Sequence, residues 1–336
     1  MSRGRRLWLA VAGLLLGAAI AGPAGWPWPE GRPAPRVPAD NRMSAAKVEL
    51  GRRLFYDADL SIDGSMSCAT CHVQRRAFAD GNATHPGVHG DPGRRNVPGL
   101  ANIAWAKSLT WGDPRVRTLE AQVLIPVTGL SPVEMGMNGK EGEIAARLGR
   151  DACYVRMFRA AFPEADGRID MAGVAKALAA FQRTMISNQS PYDRWRSGRR
   201  DALSEIQQQG ERAFARRCVA CHAGPDLSDG RFHRIEPEAD DPSAGDPGLS
   251  EITGRAADIG RFRTPGLRNV ALTAPYLHDG SASTVAAAID RHADIARRLS
   301  DGDRRAIEAF LDTLTDRVFT GDRRLSLPQS ACGVEL

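Results

Sequence analysis

The sequence predicts an all-α protein folded in two helical halves, and three observations predict it. Apolar residues recur at helical spacing in several separate stretches, and no stretch reads as a convincing run of strands. One short cysteine motif also occurs twice, each time just after a helical segment. The 336 residues suit two domains of ordinary size, and 42% apolar with 25% charged residues is the composition of a chain with a sizeable core. The net charge of +5 includes Arg3, Arg5 and Arg6, which belong to a segment expected to be removed. The remaining mild basicity excludes a nucleic-acid footprint.

The chain begins MSRGRRLWLAVAGLLLGAAIAG, with a basic start, an apolar run from Leu7 to Ile20 and a small-residue site at Ala19-Ile20-Ala21. This is the pattern of a secretory signal peptide over residues 1–21. The run is short for a membrane span of about 20 residues. Stable membrane insertion is therefore not expected, and the periplasm is the expected destination. Residues 22–43, with GWPWPEGRPAPRVPAD, read as an extended Pro-rich linker.

SAAKVELGRRLFYDADLS has helical periodicity, ends at a polar turn and opens a first domain over residues 44–198, which also holds the amphipathic segment Met171–Met185. LSEIQQQGERAFARRC opens a second over residues 199–325, with Leu203, Ile206 and Phe214 as candidate apolar-face positions. Asp303–Leu314 adds another amphipathic helix there. The acidic stretch Ile235–Gly260 reads as a long surface loop and residues 326–336 as a tail.

The repeated motif carries the chemistry. Cys68-Ala69-Thr70-Cys71-His72 and Cys218-Val219-Ala220-Cys221-His222 are both C-x-x-C-H, the attachment signal for c-type haem. Two thiols three positions apart can form thioethers to the two vinyl groups of one porphyrin, and the adjacent histidine can turn onto the iron as proximal ligand. A redox CxxC or half a zinc site would need no following histidine. The expectation is two cytochrome-c-like helical domains, each with one covalent haem c.

With these motifs on view, the chain resembles the bacterial di-haem cytochrome c peroxidase/MauG family from about Ser44 to Leu314. The resembling pieces are LGRRLFYDADLS, the first CxxCH with FADG after it, RNVPGLANIAW and TLEAQVLIPVTGLSPVEMG, followed by FQRTMISNQSPYDRW, the second CxxCH and RTPGLRNVALTAPYLHDGS. The resemblance implies a calcium ion between the domains, ligated by Asn102 and the backbone carbonyls of Thr273 and Pro275. Hard oxygen donors suit that ion, although too few acidic residues lie there to predict it otherwise. It further implies that His72 serves a peroxide-reacting haem, with Glu134, Gln122 and Pro126 on its distal side. A carboxylate there can move a proton between the two peroxide oxygens. Trp111 matches a tryptophan placed between the haems.

The second haem of the family takes a distal ligand fourteen residues after the histidine of the HDG motif, a methionine in peroxidases and a tyrosine in MauG. Here that motif begins at His278 and the residue fourteen on is His292. The second haem is expected to be bis-histidine, between His222 and His292, with His278 anchoring its loop. Imidazole stabilises oxidised haem better than thioether, which disfavours a high-potential acceptor. In this the chain is similar to the methanobactin-associated MbnH-like enzymes.

Peroxidases that need reductive activation block the first iron with a loop histidine. His85 and His89 are the available ones, neither at the expected distance and His89 nearer to it. The tryptophan through which MauG exports oxidising equivalents is replaced by Arg216, leaving Trp105, Tyr154 and Trp195 as alternatives. Cys153 and Cys332 remain, either as a disulfide that pins the tail to the first domain or with Cys153 simply a buried small hydrophobe.

Three functions follow. The first is reaction with hydrogen peroxide to form a high-valent di-haem state that oxidises a Trp or Tyr of a partner protein. The second is reduction of peroxide to water with electrons from a small cytochrome c or cupredoxin. The third is a non-enzymatic electron carrier, which would need neither Glu134 nor Gln122.

Overall fold

Two pairs of helices, each closed on a glycine, organise the chain. The structure, a computed structural model, describes residues 26–235 and 245–335. The signal-peptide pattern at 1–21 lies outside them. No helix among the described residues is long and apolar enough to cross a membrane. Residues up to Ala34 and from Pro35 onward separate into two units. In the first, Trp26 and Trp28 are in tilted ring contact at 6.4 Å.

In the second unit, helix Ala45–Phe55 packs along helix Met171–Gln182 so closely that a Cβ on Gly51 would lie 1.9 Å from the carbonyl oxygen of Ala177. Helix Glu205–Arg217 packs the same way along Asp301–Asp312, with a Cβ on Gly210 falling 1.8 Å from the oxygen of Ala306. The N-termini are capped by side chains with free oxygens. Ser44, Asp170 and Ser300 accept from the N–H groups of Lys47, Gly173 and Asp303, and Ser204 forms a capping box with Gln207. Each pair anchors its own core. Leu50, Phe55, Leu178 and Phe181 belong to the larger, and Phe214, Ile307, Phe310 and Leu314 to the smaller.

Among the described residues strands are confined to two short antiparallel pairs, Phe232–His233 with Phe262–Arg263 and Ser330–Ala331 with Val334–Glu335. The fold is all-α, as expected.

The halves repeat beyond their helices. Asn102 and Asn269 follow matching Pro-Gly-Leu turns and both adopt left-handed backbone, at φ 57° and 62°. Each Oδ1 accepts a backbone N–H beyond the second helix of its own half, from Ser187 at 2.8 Å and from Asp316 at 2.7 Å. Each loop is thereby clamped to the far end of its helix pair.

Some expectations change. Leu203 and Phe214 are buried, but Ile206 is 49% exposed. The stripe that meets the partner helix is made of Gly210, Ala213 and Phe214, because close approach selects small residues. The stretch Ile235–Gly260 is less loop-like than its composition suggests. It holds a short helix, Ser250–Thr253, and a buried Asp258 bound by Thr253 and Arg255. The Pro-rich segment joins the fold before residue 43, since Asn41 is fully buried and its amide bonds Glu120 and the carbonyl of Lys176. Phe319 and Leu325 return to the first core, and Cys153 and Cys332 are joined as a disulfide.

Replacing Gly210 by alanine should destabilise the protein by about 1–3 kcal/mol or more, because the added methyl meets backbone that cannot yield. A denaturant midpoint equal to wild type would show that the helices can part without cost.

Candidate haem sites

Both CxxCH motifs sit at the end of a tight turn that aims the histidine. Cys68–Cys71 forms a single helical turn, and the backbone N–H of His72 bonds the carbonyl of Cys68. Beyond it the chain reverses at Phe78, whose φ of 62° turns its carbonyl back to the His72 Nδ1 at 2.6 Å. In the second motif Leu227, at φ 51°, does the same to His222 Nδ1 at 3.0 Å. A carbonyl accepts only, so the proton stays on Nδ1 and the Nε2 lone pair is free for a metal. Burial favours the neutral ring, pushing His72 down and His222 down to about 4.

Burial also raises the thiols of Cys68 and Cys71 to about 12 and that of Cys218 to about 11. A redox-active CxxC would instead lower one of its thiols.

At the second motif, the His292 ring lies 6.3 Å from that of His222, and its Nδ1 bonds the Ala288 carbonyl one turn back at 2.8 Å. A metal–nitrogen bond of about 2 Å on each side, added to the depth of each ring, calls for centroids about 6 Å apart. The separation therefore suits one metal ion held between the two imidazoles. A cavity of about 850 Å³ opens there, lined by Cys218, Cys221, His222 and His292 and by Trp111 and Arg263. Asn102, Thr273 and Pro275 line it too. Among the described residues no three His, Cys, Asp or Glu side chains converge on a metal position. A calcium ion would rest on amide and carbonyl oxygens and water, although the Asn102 oxygen already accepts the Ser187 N–H.

The distal candidates of the first motif come together around helix Leu119–Thr128. Its start is held by Glu120, whose carboxylate pairs with buried Arg183 at 2.8 Å. Gln122 and Pro126 lie four apart, on one face. The Pro126 carbonyl accepts the N–H of Met135 at 2.9 Å, which brings the preceding residue, Glu134, close to the helix. Burial pushes the Glu134 carboxyl above its ordinary range, with the nearby His85 opposing. Raising a carboxyl in this way brings its proton affinity closer to that of a group that passes a proton on.

The loop histidines separate in an unexpected order. His85, not His89, is the one within electrostatic reach of Glu134 and His72, but its Nδ1 is tied to the Asp80 carboxylate at 2.7 Å. His89 is exposed, on the side of Asp63. His278 stacks on Phe262 at 3.6 Å, and its carbonyl accepts the N–H of Asn96.

Trp111 is buried and donates its indole N–H to the Asn96 carbonyl at 2.8 Å. Its neighbour Arg263 escaped the sequence reading. That side chain is 7% exposed and has no carboxylate partner among the described residues. It is fastened to the tryptophan segment through Arg263 N to Trp111 O at 2.9 Å and Nε to Thr110 O at 3.1 Å. A buried unpaired cation facing a cavity needs an anion from whatever fills it, and a porphyrin brings carboxylates. Nothing in an isolated Arg-Thr-Pro signals this, because Thr110 lies 153 positions away. Of the other aromatic candidates, Trp105 lines the cavity, Tyr154 is buried against Asp57 and Arg53, and Trp195 is half-exposed.

Comparison with known proteins now bears on these sites. The family model for di-haem cytochrome c peroxidases matches residues 45–201. The methylamine utilization protein MauG of Methylorubrum extorquens is 33% identical over 302 residues, 85% of this chain and 82% of the relative. The chain belongs to the di-haem cytochrome c peroxidase family. Cytochrome c551 peroxidase of Pseudomonas aeruginosa is 33% identical across 82% of this chain and 80% of its own. A crystal structure of a MauG-like protein associated with microbial copper homeostasis superposes with a TM-score of 0.86 at 38% identity, covering 91% of this chain and 99% of the other. As a member of this di-haem family the chain is an oxidoreductase that uses hydrogen peroxide, with two haem cofactors.

Near the cavity, Asp246 links Arg95 and Arg94. Burial works against its charge, but the Arg95 guanidinium and the N–H of Gly248 hold its carboxyl below the ordinary range. A depressed pKa adds stability above the unfolded value of about 3.9, and that stability is lost as pH falls through the folded value. The variant D246N should therefore melt lower than wild type at pH 7, with the gap closing toward pH 3. A gap that persists in acid would mean the aspartate acts by shape alone.

Proposed function

We propose that this chain is a periplasmic MauG-like enzyme that oxidises an aromatic residue, Trp or Tyr, of a partner protein at the expense of hydrogen peroxide. The observation that carries this reading is the His222–His292 pair at 6.3 Å, each ring tied through Nδ1 to a carbonyl. Two imidazoles favour the oxidised side of a haem couple, which suits holding oxidising equivalents rather than accepting electrons from a high-potential carrier. The 38% identity to a MauG-like protein supports the same branch.

When bound, the haems would supply the iron at which peroxide takes up two electrons and the iron from which those electrons are replaced. Cys68 and Cys71, and Cys218 and Cys221, would hold them through thioethers, with His72 at the first iron and His222 and His292 at the second. Arg263 would meet a carboxylate of the second. Glu134 would take a proton from the proximal oxygen of peroxide and return it to the distal one, and Gln122 would orient the molecule by hydrogen bonding. Pro126 packs this wall. Trp111 would bridge the two sites. Its indole N–H faces a neutral carbonyl that cannot accept a proton, so it serves to couple rather than to store a radical. We further propose covalent haem domains at 44–198 and 199–325 and a calcium ion held by Asn102, Thr273 and Pro275.

Peroxidase relatives match as well as MauG does, so peroxide reduction with electrons from a small cytochrome c or cupredoxin is the competing reading. Steady turnover with a reduced cytochrome would favour it.

The variant H292A should turn the second haem from low-spin to high-spin in its EPR spectrum. An unchanged low-spin signal would remove His292 as ligand. Glu134→Gln should slow the peroxide reaction by about 10²–10⁴-fold without changing either haem's resting spectrum. A wild-type rate would return Glu134 to a structural role.

A further inference from the structure

Four aromatic side chains lead from His222 to the surface. Phe214 lies 6.3 Å from the His222 ring and Phe310 5.2 Å from Phe214. Tyr192 meets Phe310 edge-on at 5.1 Å, and Trp195 stacks on Tyr192 at 6.0 Å with an interplanar angle of 19°. Phe214 and Phe310 are buried, whereas Tyr192 and Trp195 are half-exposed. Tyrosine and tryptophan are the readily oxidised members of such a series, and here they occupy its outer end.

The outer pair is rigidly mounted. Both residues lie on the short helix Pro191–Arg196, and the N–H of Tyr192 bonds the Thr313 carbonyl. Asp193, between them, accepts from both Nη atoms of Arg268 at 2.8 Å in a well-buried pair. Arg268 belongs to the clamped turn before Asn269, so the helix moves with the second site.

The surroundings are strongly basic. Arg194, Arg196, Arg199 and Arg200 fall within seven residues, all exposed. The Arg196 guanidinium is 5.9 Å from the Tyr192 ring centroid and that of Arg200 is 5.3 Å from the Trp195 ring. Asp201 is the one acid in the Arg194–Asp201 run, and it pairs with Arg199 at 3.5 Å. Clustered cations of this kind speed encounter with an oppositely charged surface.

We propose that Tyr192 and Trp195 form the electron gateway of the second haem, and that the arginine rim docks a protein presenting an oxidisable aromatic residue within an acidic face. This rests on the reading of His222 as an axial ligand. In one turnover the partner's aromatic residue gives up two electrons and two protons. One hydrogen peroxide takes up two of each and becomes two waters. The electrons cross Trp195 and Tyr192 one at a time, and both rings end as they began.

The test uses the holoenzyme with two small electron donors of opposite charge, ferrocyanide and hexaammineruthenium(II), and peroxide as oxidant. In the variant R194Q/R196Q/R199Q/R200Q, kcat/KM for ferrocyanide at low salt should fall tenfold or more and lose its salt dependence. The rate with the ruthenium complex should rise. Equal ferrocyanide kinetics in variant and wild type would overturn the docking rim.

The rings are tested without any donor. Peroxide-treated wild type should return to its resting spectrum several times faster than Y192F/W195F, with oxygen adducts on the 191–196 peptide. Equal decay, or adducts confined to other aromatic residues, would overturn the gateway. A wild-type protein with one haem, or with a second haem not ligated by His222, would sink the ligand assignment itself. Two correctly ligated haems with unaltered kinetics in both variants would sink the gateway alone.

Discussion

A carbonyl oxygen behind each histidine decides what the rest of this protein can do. His72, His222 and His292 each give their Nδ1 proton to a backbone oxygen, from Phe78, Leu227 and Ala288. Ring orientation, tautomer and the direction of the free nitrogen all follow from those three bonds. Two of the carbonyls are aimed by residues in left-handed backbone, Phe78 and Leu227, a conformation that costs a bulky residue roughly 1–3 kcal/mol. The neighbouring aspartates help to hold these turns. Asp80 binds the N–H of Gly81 and the His85 ring, and Asp229 binds the N–H of Arg231 and the His233 ring.

The same local plan is used twice, with different opposite walls. Glycine-closed helices, the CxxCH turn, the aspartate–histidine brace and the left-handed asparagine recur in both halves. In the first half a carboxyl of raised pKa, Glu134, stands near the cysteine pair, whereas in the second another imidazole faces His222. One frame thus carries a carboxyl beside one cysteine motif and a second imidazole beside the other. Arg263 and Trp111 stand where the halves meet, and the backbone bond between them ties the orientation of one to the other.

Much of this was legible in the chain. Helices, both cysteine motifs and the fourteen-residue interval to His292 are local patterns, and local patterns survive folding. Glu134 and Gln122 were legible only through resemblance, since a lone carboxylate between Val133 and Met135 has no periodicity to betray it. What escaped depends on packing between distant segments. Arg263 resembles any other arginine until Thr110 and Trp111 close over it, and Ile206 looks like a core residue until Gly210 and Ala213 prove to be the contact. His89 fits the interval count better, yet the Asp80 carboxylate draws His85 inward. The pairing of Cys153 with Cys332 was one of two open choices, because nothing near either cysteine records the other.

That pairing gives the molecule a topology its backbone lacks. The sulfur bond joins positions 179 residues apart and closes a covalent ring around the whole second helix pair, the second cysteine motif and His292. Opening the second half therefore releases a tethered loop with both ends fixed to the first core, which gains less chain entropy than a free end would. A single backbone cut within the ring leaves the two pieces still one molecule, and only reduction lets them separate.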